Sequence, residues 1–121
     1  MTDKRVVMVT CSSEEEASRI ARALVSERLA ACVNILESPV RSVYRWKGRI
    51  ETAMEHLLVI KTRRARLRAV EAAVTRLHSY ETPEIIALAV AEGSRKYLAW
   101  VQECLEDRKA LRRRGVPRRR G

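Results

Sequence analysis

The sequence predicts an α+β sandwich of order βαββαβ with one added C-terminal helix. Three observations predict it. β-branched runs alternate with stretches of helical spacing along the chain. Capping and turn residues fall at the boundaries between them. The length, 121 residues with 46% hydrophobic, suits one domain around one core.

The first strand is Arg5–Cys11, "RVVMVTC". Its β-branched run marks a buried strand. Ser13-Glu-Glu-Glu16 follows and fits a capping box, with serine at the N-cap and glutamate three residues on. Acidic residues in a first turn also suit the helix dipole. Ala17, Ile20, Ala21, Leu24 and Val25 recur at helical spacing, so a first helix is expected to about Leu29. Residues 30–62 are rich in Val and Ile, with Lys47-Gly48 near their middle and the apolar run Leu57–Ile60 near their end. They are expected to form two long strands joined by a turn at Gly48. Pro39 forces a bulge or break in the first of them.

Leu67, Val70, Val74 and Leu77 mark a second helix. "HSYETPE" ends it, because Pro83 disfavours helix at the residue before it. Ile85–Ala91 is expected as a fourth strand. Gly93-Ser94 starts a third helix, with Tyr97, Trp100, Val101, Cys104 and Leu105 on its apolar side. This order is that of a ferredoxin-like sandwich, two helices on one face of a four-stranded antiparallel sheet.

The strands flanking Gly48 are too long for that sandwich alone. About 14 residues at roughly 3.3 Å each span some 46 Å, against roughly 20 Å for an ordinary strand. The excess carries Val40, Val43, Tyr44, Trp46 and Ile50, with no core of its own to cover them. Pairing with another subunit would cover them, so an oligomer is expected from length.

The charge is uneven. From Arg108 to Gly121 there are eight Lys/Arg and no acids, while the rest of the chain holds 17 basic and 15 acidic residues. Residues 1–107 therefore read as the single domain and 108–121 as a basic, partly disordered tail. Such an arm can touch nucleic acid or an anionic surface. No aromatic residue is interleaved with its arginines, so a solvated extension is the preferred reading and nucleic acid is not the expected partner. Three cysteines, at 11, 32 and 104, with wide spacing and no CxxC, argue against a disulfide framework. They fit a reduced, cytoplasmic protein. The first apolar run, Val6 to Val9, is too short for a signal peptide or a membrane span.

"ERLAACVNI" (27–35), "SVYRWKGRIE" (42–51), "LLVIKT" (57–62), "YETPEIIAL" (80–88) and "YLAWV" (97–101) stand in one order at one set of spacings. Together they resemble the CutA family of divalent-cation-tolerance proteins, over roughly residues 5–105. The resemblance implies a cytoplasmic homotrimer of ferredoxin-like subunits, similar in architecture to the PII signalling proteins, with long hairpins clasping neighbouring subunits. It also implies an association with divalent copper or other divalent cations, not required for folding. Metal binding in the family is attributed to a first-strand cysteine and to histidines just before the "PY" of an "HPY" motif. Here His78-Ser79-Tyr80 keeps one histidine and the tyrosine and lacks the proline, and Leu77 stands where a second histidine would be. Cys11 lies two residues beyond the position that aligns with the family cysteine, on the same face by strand parity.

Candidate chemistry concentrates at a few residues. His78 could hold a divalent metal, with Glu81 or Glu84 completing the shell, since imidazole suits copper and zinc and carboxylates tolerate both. The competing reading is a polar cap at the second helix's C-terminus. Cys32 could offer a thiolate to soft copper, or simply pack as a small apolar residue. Cys11 sits beside a helix N-terminus, which can lower a thiol pKa and raise reactivity, although a merely semi-exposed residue is the preferred reading. Tyr44, Trp46 and Trp100 are expected at a subunit interface. Lys61, Tyr80 and Glu84 are expected to line an inter-subunit cleft. No glycine-rich loop cradles a phosphate, and no GxSxG, HExxH or Walker pattern occurs. A non-enzymatic protein is expected. The alternative to metal binding is a PII-like regulatory or scaffolding trimer that binds a small molecule or partner protein, with metal incidental.

Overall fold

The computed structural model describes residues 2–106; the basic segment expected to be a tail lies outside them. The elements run β1 (Lys4–Cys11), α1 (Glu14–Ser26), β2 (Cys32–Ile35), β3 (Val40–Trp46), β4 (Arg49–Arg63), a short 3-10 turn, α2 (Leu67–Leu77), β5 (Ile85–Ala89) and α3 (Arg95–Cys104). The sheet order is β2-β4-β1-β5, with β3 paired to β4 beyond β2. All pairings are antiparallel. This is the expected ferredoxin-like arrangement with its long hairpin and extra helix.

Two boundaries differ from the sequence reading, the ends of α1 and of β5, while the break at Pro39 and the start of α3 after Ser94 are as expected. The strand before the turn is split into β2 and β3, and Pro39 stands at the break. α1 stops at Ser26 rather than near Leu29. Arg28 takes a left-handed backbone, φ 58°, while its N–H bonds Val25 O and that of Leu29 bonds Leu24 O. That is a Schellman stop, which turns the chain down toward the sheet. β5 ends at Ala89, where pairing with β1 reaches Arg5. Ser94 caps α3, its Oγ accepting from Tyr97 N at 3.3 Å.

The core lies between the sheet and α1 with α2. Val7, Val9 and Cys11 of β1, Leu58 and Ile60 of β4, Ile20 and Leu24 of α1, and Val70 and Val74 of α2 are all buried there. α3 forms a smaller cluster in which Ala31, Val101 and Leu105 are packed by Tyr97, Trp100 and Cys104. Its last carbonyls are capped from outside the helix. Arg28 donates to Cys104 O at 2.9 Å and Arg66 to Leu105 O at 2.6 Å. Cations at a helix C-terminus are favourable.

Among the described residues the other sheet face carries neither α1 nor α2, and α3 reaches it at its Lys4 end, where Lys4 Nζ donates to Gln102 Oε1 at 3.0 Å. Met8 lies opposite both Val59 and Ile86, and Val6 lies opposite Leu88. Ile86 and Leu88 are half exposed. Beyond the core, β3 and β4 continue as a two-stranded arm. Its turn, Lys47-Gly48, has positive φ at both residues (50° and 80°), the pattern of a type I′ hairpin turn.

Candidate functional site

"HSYETPEII" is a helix-to-strand junction whose histidine points inward. His78 is the C-cap of α2, and its N–H bonds Val74 O at 2.9 Å. Its side chain is fully buried. Tyr80 N donates to His78 Nδ1 at 3.0 Å, so the ring proton sits on Nε2 and is donated to Thr10 O at 2.7 Å. The neutral ring thus ties the junction to β1, where the sequence suggested an accessible ligand. It caps α2 with its backbone while the ring bonds across the fold.

Glu16 completes this knot. Its Oε1 accepts from Ser12 N at 2.9 Å and lies near Ser12 Oγ at 3.2 Å, while Oε2 accepts from Ser79 N at 2.8 Å. One carboxylate therefore bridges the β1–α1 loop and the α2–β5 junction. The capping box forms as expected on the serine side, with Ser13 Oγ accepting from Glu16 N at 3.1 Å. The glutamate reaches one residue further back than the motif requires, to Ser12. Burial opposes the charge of Glu16, but hydrogen bonds from Ser79 and Ser12 outweigh it and hold the carboxyl below its ordinary pKa. The 3.7 Å separation of Glu16 Oε1 from His78 Nδ1 is a close approach to a neutral ring and not an ion pair.

Cys11 lies beside them. Its Sγ, a Glu16 carboxylate oxygen and a His78 ring nitrogen lie within 4.8 Å of one another. Neither a reactive, acidic thiol nor a semi-exposed one results. Cys11 is fully buried. Burial first, then the charges of Glu16 and Glu55, push its pKa up to about 12. The helix N-terminus is too weak to offset that desolvation.

The other candidates are elsewhere. Cys32 starts β2 opposite Lys61, while Cys11 lies opposite His56. Five residues of β4 separate the two positions, about 17 Å, so Cys32 does not join Cys11 within one chain. Lys61 lies opposite Val6, away from Tyr80 and Glu84, and does not line their cleft within one chain. Trp100 packs on α3 beside Tyr97, ring centroids 5.5 Å apart.

Tyr80, Glu81 and Glu84 do come together with Tyr44 and Trp46, as walls of an open cleft of about 660 Å³ between the arm and the junction. Thr10 and Glu55 contribute to it. Burial, followed by a hydrogen bond to Glu55 and that residue's charge, raises the Tyr80 pKa above its ordinary value. His78 lies behind this cleft, its ring 4.7 Å from that of Tyr80. Sequence reasoning does not single out Glu16 or Glu55 as site residues. The capping box marks Glu16, but only the fold brings Ser79 to it.

Residues 5–104 match the family described as the CutA1 divalent ion tolerance protein. The chain belongs to that family. It is 48% identical over 100 residues to the divalent-cation tolerance protein CutA of Thermus thermophilus, covering 83% of this chain and 96% of that one. It is 46% identical to the human protein CutA, covering 82% of this chain and 55% of that one. It thus spans just over half the length of such mammalian relatives. The solved structure of the periplasmic divalent cation tolerance protein CutA from Archaeoglobus fulgidus superposes with a TM-score of 0.82 at 40% identity, over 85% of this chain and 99% of that one. The relatives also include a chloroplastic rice protein. No helix among the described residues is long and apolar enough to cross a membrane.

Proposed function

We propose that the protein is a non-enzymatic, cytoplasmic homotrimer that binds a divalent cation, copper foremost, and serves tolerance of or response to that metal. The observation that carries this reading is the convergence of Cys11, Glu16 and His78 within 4.8 Å. These residues offer a sulfur, a carboxylate oxygen and an imidazole nitrogen, a set that suits copper or zinc. A thiolate and a carboxylate neutralise a dication, so the buried site would carry no net charge. Binding requires Cys11 to release its proton and His78 Nδ1 to exchange the Tyr80 N–H for the metal.

The trimer is supported by two surfaces. The arm exposes Val43 and Ile50 at 65% and 69%, and the sheet face opposite α1 and α2 exposes Ile86 and Leu88. Apolar patches of this kind are ordinarily covered by another subunit.

Calorimetric titration of Cu(II) and Zn(II) into wild type and His78→Ala tests the metal reading. One ion per wild-type chain, and at least about tenfold weaker binding by His78→Ala, are expected. Equal weak binding by both proteins would sink it. A second reading rests on the cleft lined by Tyr44, Trp46, Tyr80, Glu55 and Glu84. There the protein is a PII-like regulatory or scaffolding trimer whose clefts take a small molecule or partner segment. Ligand binding that is indifferent to metal and abolished by Tyr80→Ala would favour it.

A further inference from the structure

β4 brings the chain's other histidine to the buried cluster. His56 lies directly opposite Cys11 in the β1–β4 register. Directly opposite residues of an antiparallel pair share a face, with Cβ atoms about 4.5–5.5 Å apart. Cys11 is buried on the helix-covered face, so His56 projects from that face as well. Parity within β4 agrees, because Leu58 and Ile60 on the same face are fully buried under the helices.

The His56 ring is also incompletely satisfied. Its Nδ1 is buried and has no hydrogen-bond partner among the described residues. Buried polar atoms are ordinarily paired, and leaving one unpaired is costly. His78 differs in this respect, since both of its ring nitrogens are engaged.

We propose that His56 is the fourth ligand of the metal centre at Cys11, Glu16 and His78. The proposal rests on the metal reading above and names the residue that completes its shell. Three donors leave a dication short of the four that a tetrahedral site uses. From a neighbouring Cβ, rotation about two side-chain bonds sweeps an imidazole nitrogen toward an ion held about 2.3 Å from Sγ. The ring lies outside the 4.8 Å group in the metal-free chain, so binding draws it inward and gives Nδ1 its missing partner. A neutral imidazole adds no charge, and the balance of thiolate, carboxylate and dication is kept.

Co(II) titration of wild type, His56→Ala, His56→Gln and His78→Ala, read by absorption, tests this. Tetrahedral cobalt absorbs far more strongly in the visible than six-coordinate cobalt does. Wild type is expected to take one Co(II) per chain with the tetrahedral bands. His56→Ala is expected to lose those bands and to bind at least about tenfold more weakly. Wild-type bands and affinity in folded His56→Ala, with both lost in His78→Ala, would overturn the role of His56 and leave the metal reading standing. Absence of binding by wild type would overturn both. Should the variants fail to fold, nitrogen NMR of the wild-type imidazoles during Zn(II) addition decides the matter. Both histidines should shift in step with metal, and a stationary His56 beside a shifting His78 rejects the proposal.

Discussion

The two halves of β4 lie on one continuous strand and meet opposite fates. Ile50 and Met54 share their face with Leu58, Ile60 and Thr62 by strand parity. The last three are completely buried, while Ile50 and Met54 are 69% and 56% exposed. Nothing in the alternation of the strand changes between them. What changes is the layer above, since α1 and α2 cover the second half and nothing among the described residues covers the first. Periodicity assigns residues to a face, and the arrangement of other elements decides whether that face is core.

The largest expected effect is at the covered half. Leu58→Ala should destabilise the chain by about 3 kcal/mol, through lost transfer energy and a cavity that the sheet cannot close. Ile50→Ala in the arm should cost under about 0.5 kcal/mol in dilute solution. Urea denaturation of both variants measures the contrast, and equal costs at every protein concentration would break it. A cost for Ile50→Ala that grows with concentration would sharpen it, since mass action would then place a second copy on the arm.

A smaller effect is expected at the polar knot. Glu16→Gln should cost about 2 kcal/mol by weakening the charge-assisted bonds to Ser12 and Ser79. The pH dependence has a definite sign. The folded carboxyl lies below its ordinary value, so its contribution is fully present above the unfolded glutamate pKa. It is lost as pH falls through the folded value. Urea midpoints followed into acid should fall less steeply for Glu16→Gln than for wild type. Parallel slopes would mean that the carboxylate is not stabilised by folding.

The arm's turn gives the smallest effects. Gly48 holds φ 80° with open space around its Cα, so Gly48→Ala should cost about 1 kcal/mol from backbone strain alone. Lys47, at φ 50°, should be improved by a few tenths of a kcal/mol as Lys47→Asn, because asparagine tolerates that region better. Thermal melts of the two variants should move in opposite directions. A larger loss from Gly48→Ala than from Leu58→Ala would overturn the view that the arm contributes little within one chain.

The polar sites repeat the lesson of β4. Tyr80, Glu81 and Glu84 could be placed together because they are near neighbours in the chain. Cys11 and His78 were each visible as candidates. Lys61 does not fall beside them within one chain, because distance along a sheet depends on register and register is not written in one strand. The Cys11 thiol departs from its sequence reading for a related reason. Chain position set it beside a helix N-terminus, but burial under two helices decided its pKa.

The sequence by itself determined the order of elements, the stop at Pro39, the turn at Lys47-Gly48 and the start of α1 at Ser13. Each rests on backbone preferences acting within a few residues, and those are local. Its family blocks also carried the fold. Tertiary structure alone decided that Glu16 bridges Ser12 and Ser79, that His78 turns inward to Thr10, and that His56 stands opposite Cys11. These contacts join residues distant in the chain. Their energies depend on burial and on the register of β1 against β4, quantities that come into being only when the sheet and its helices close together.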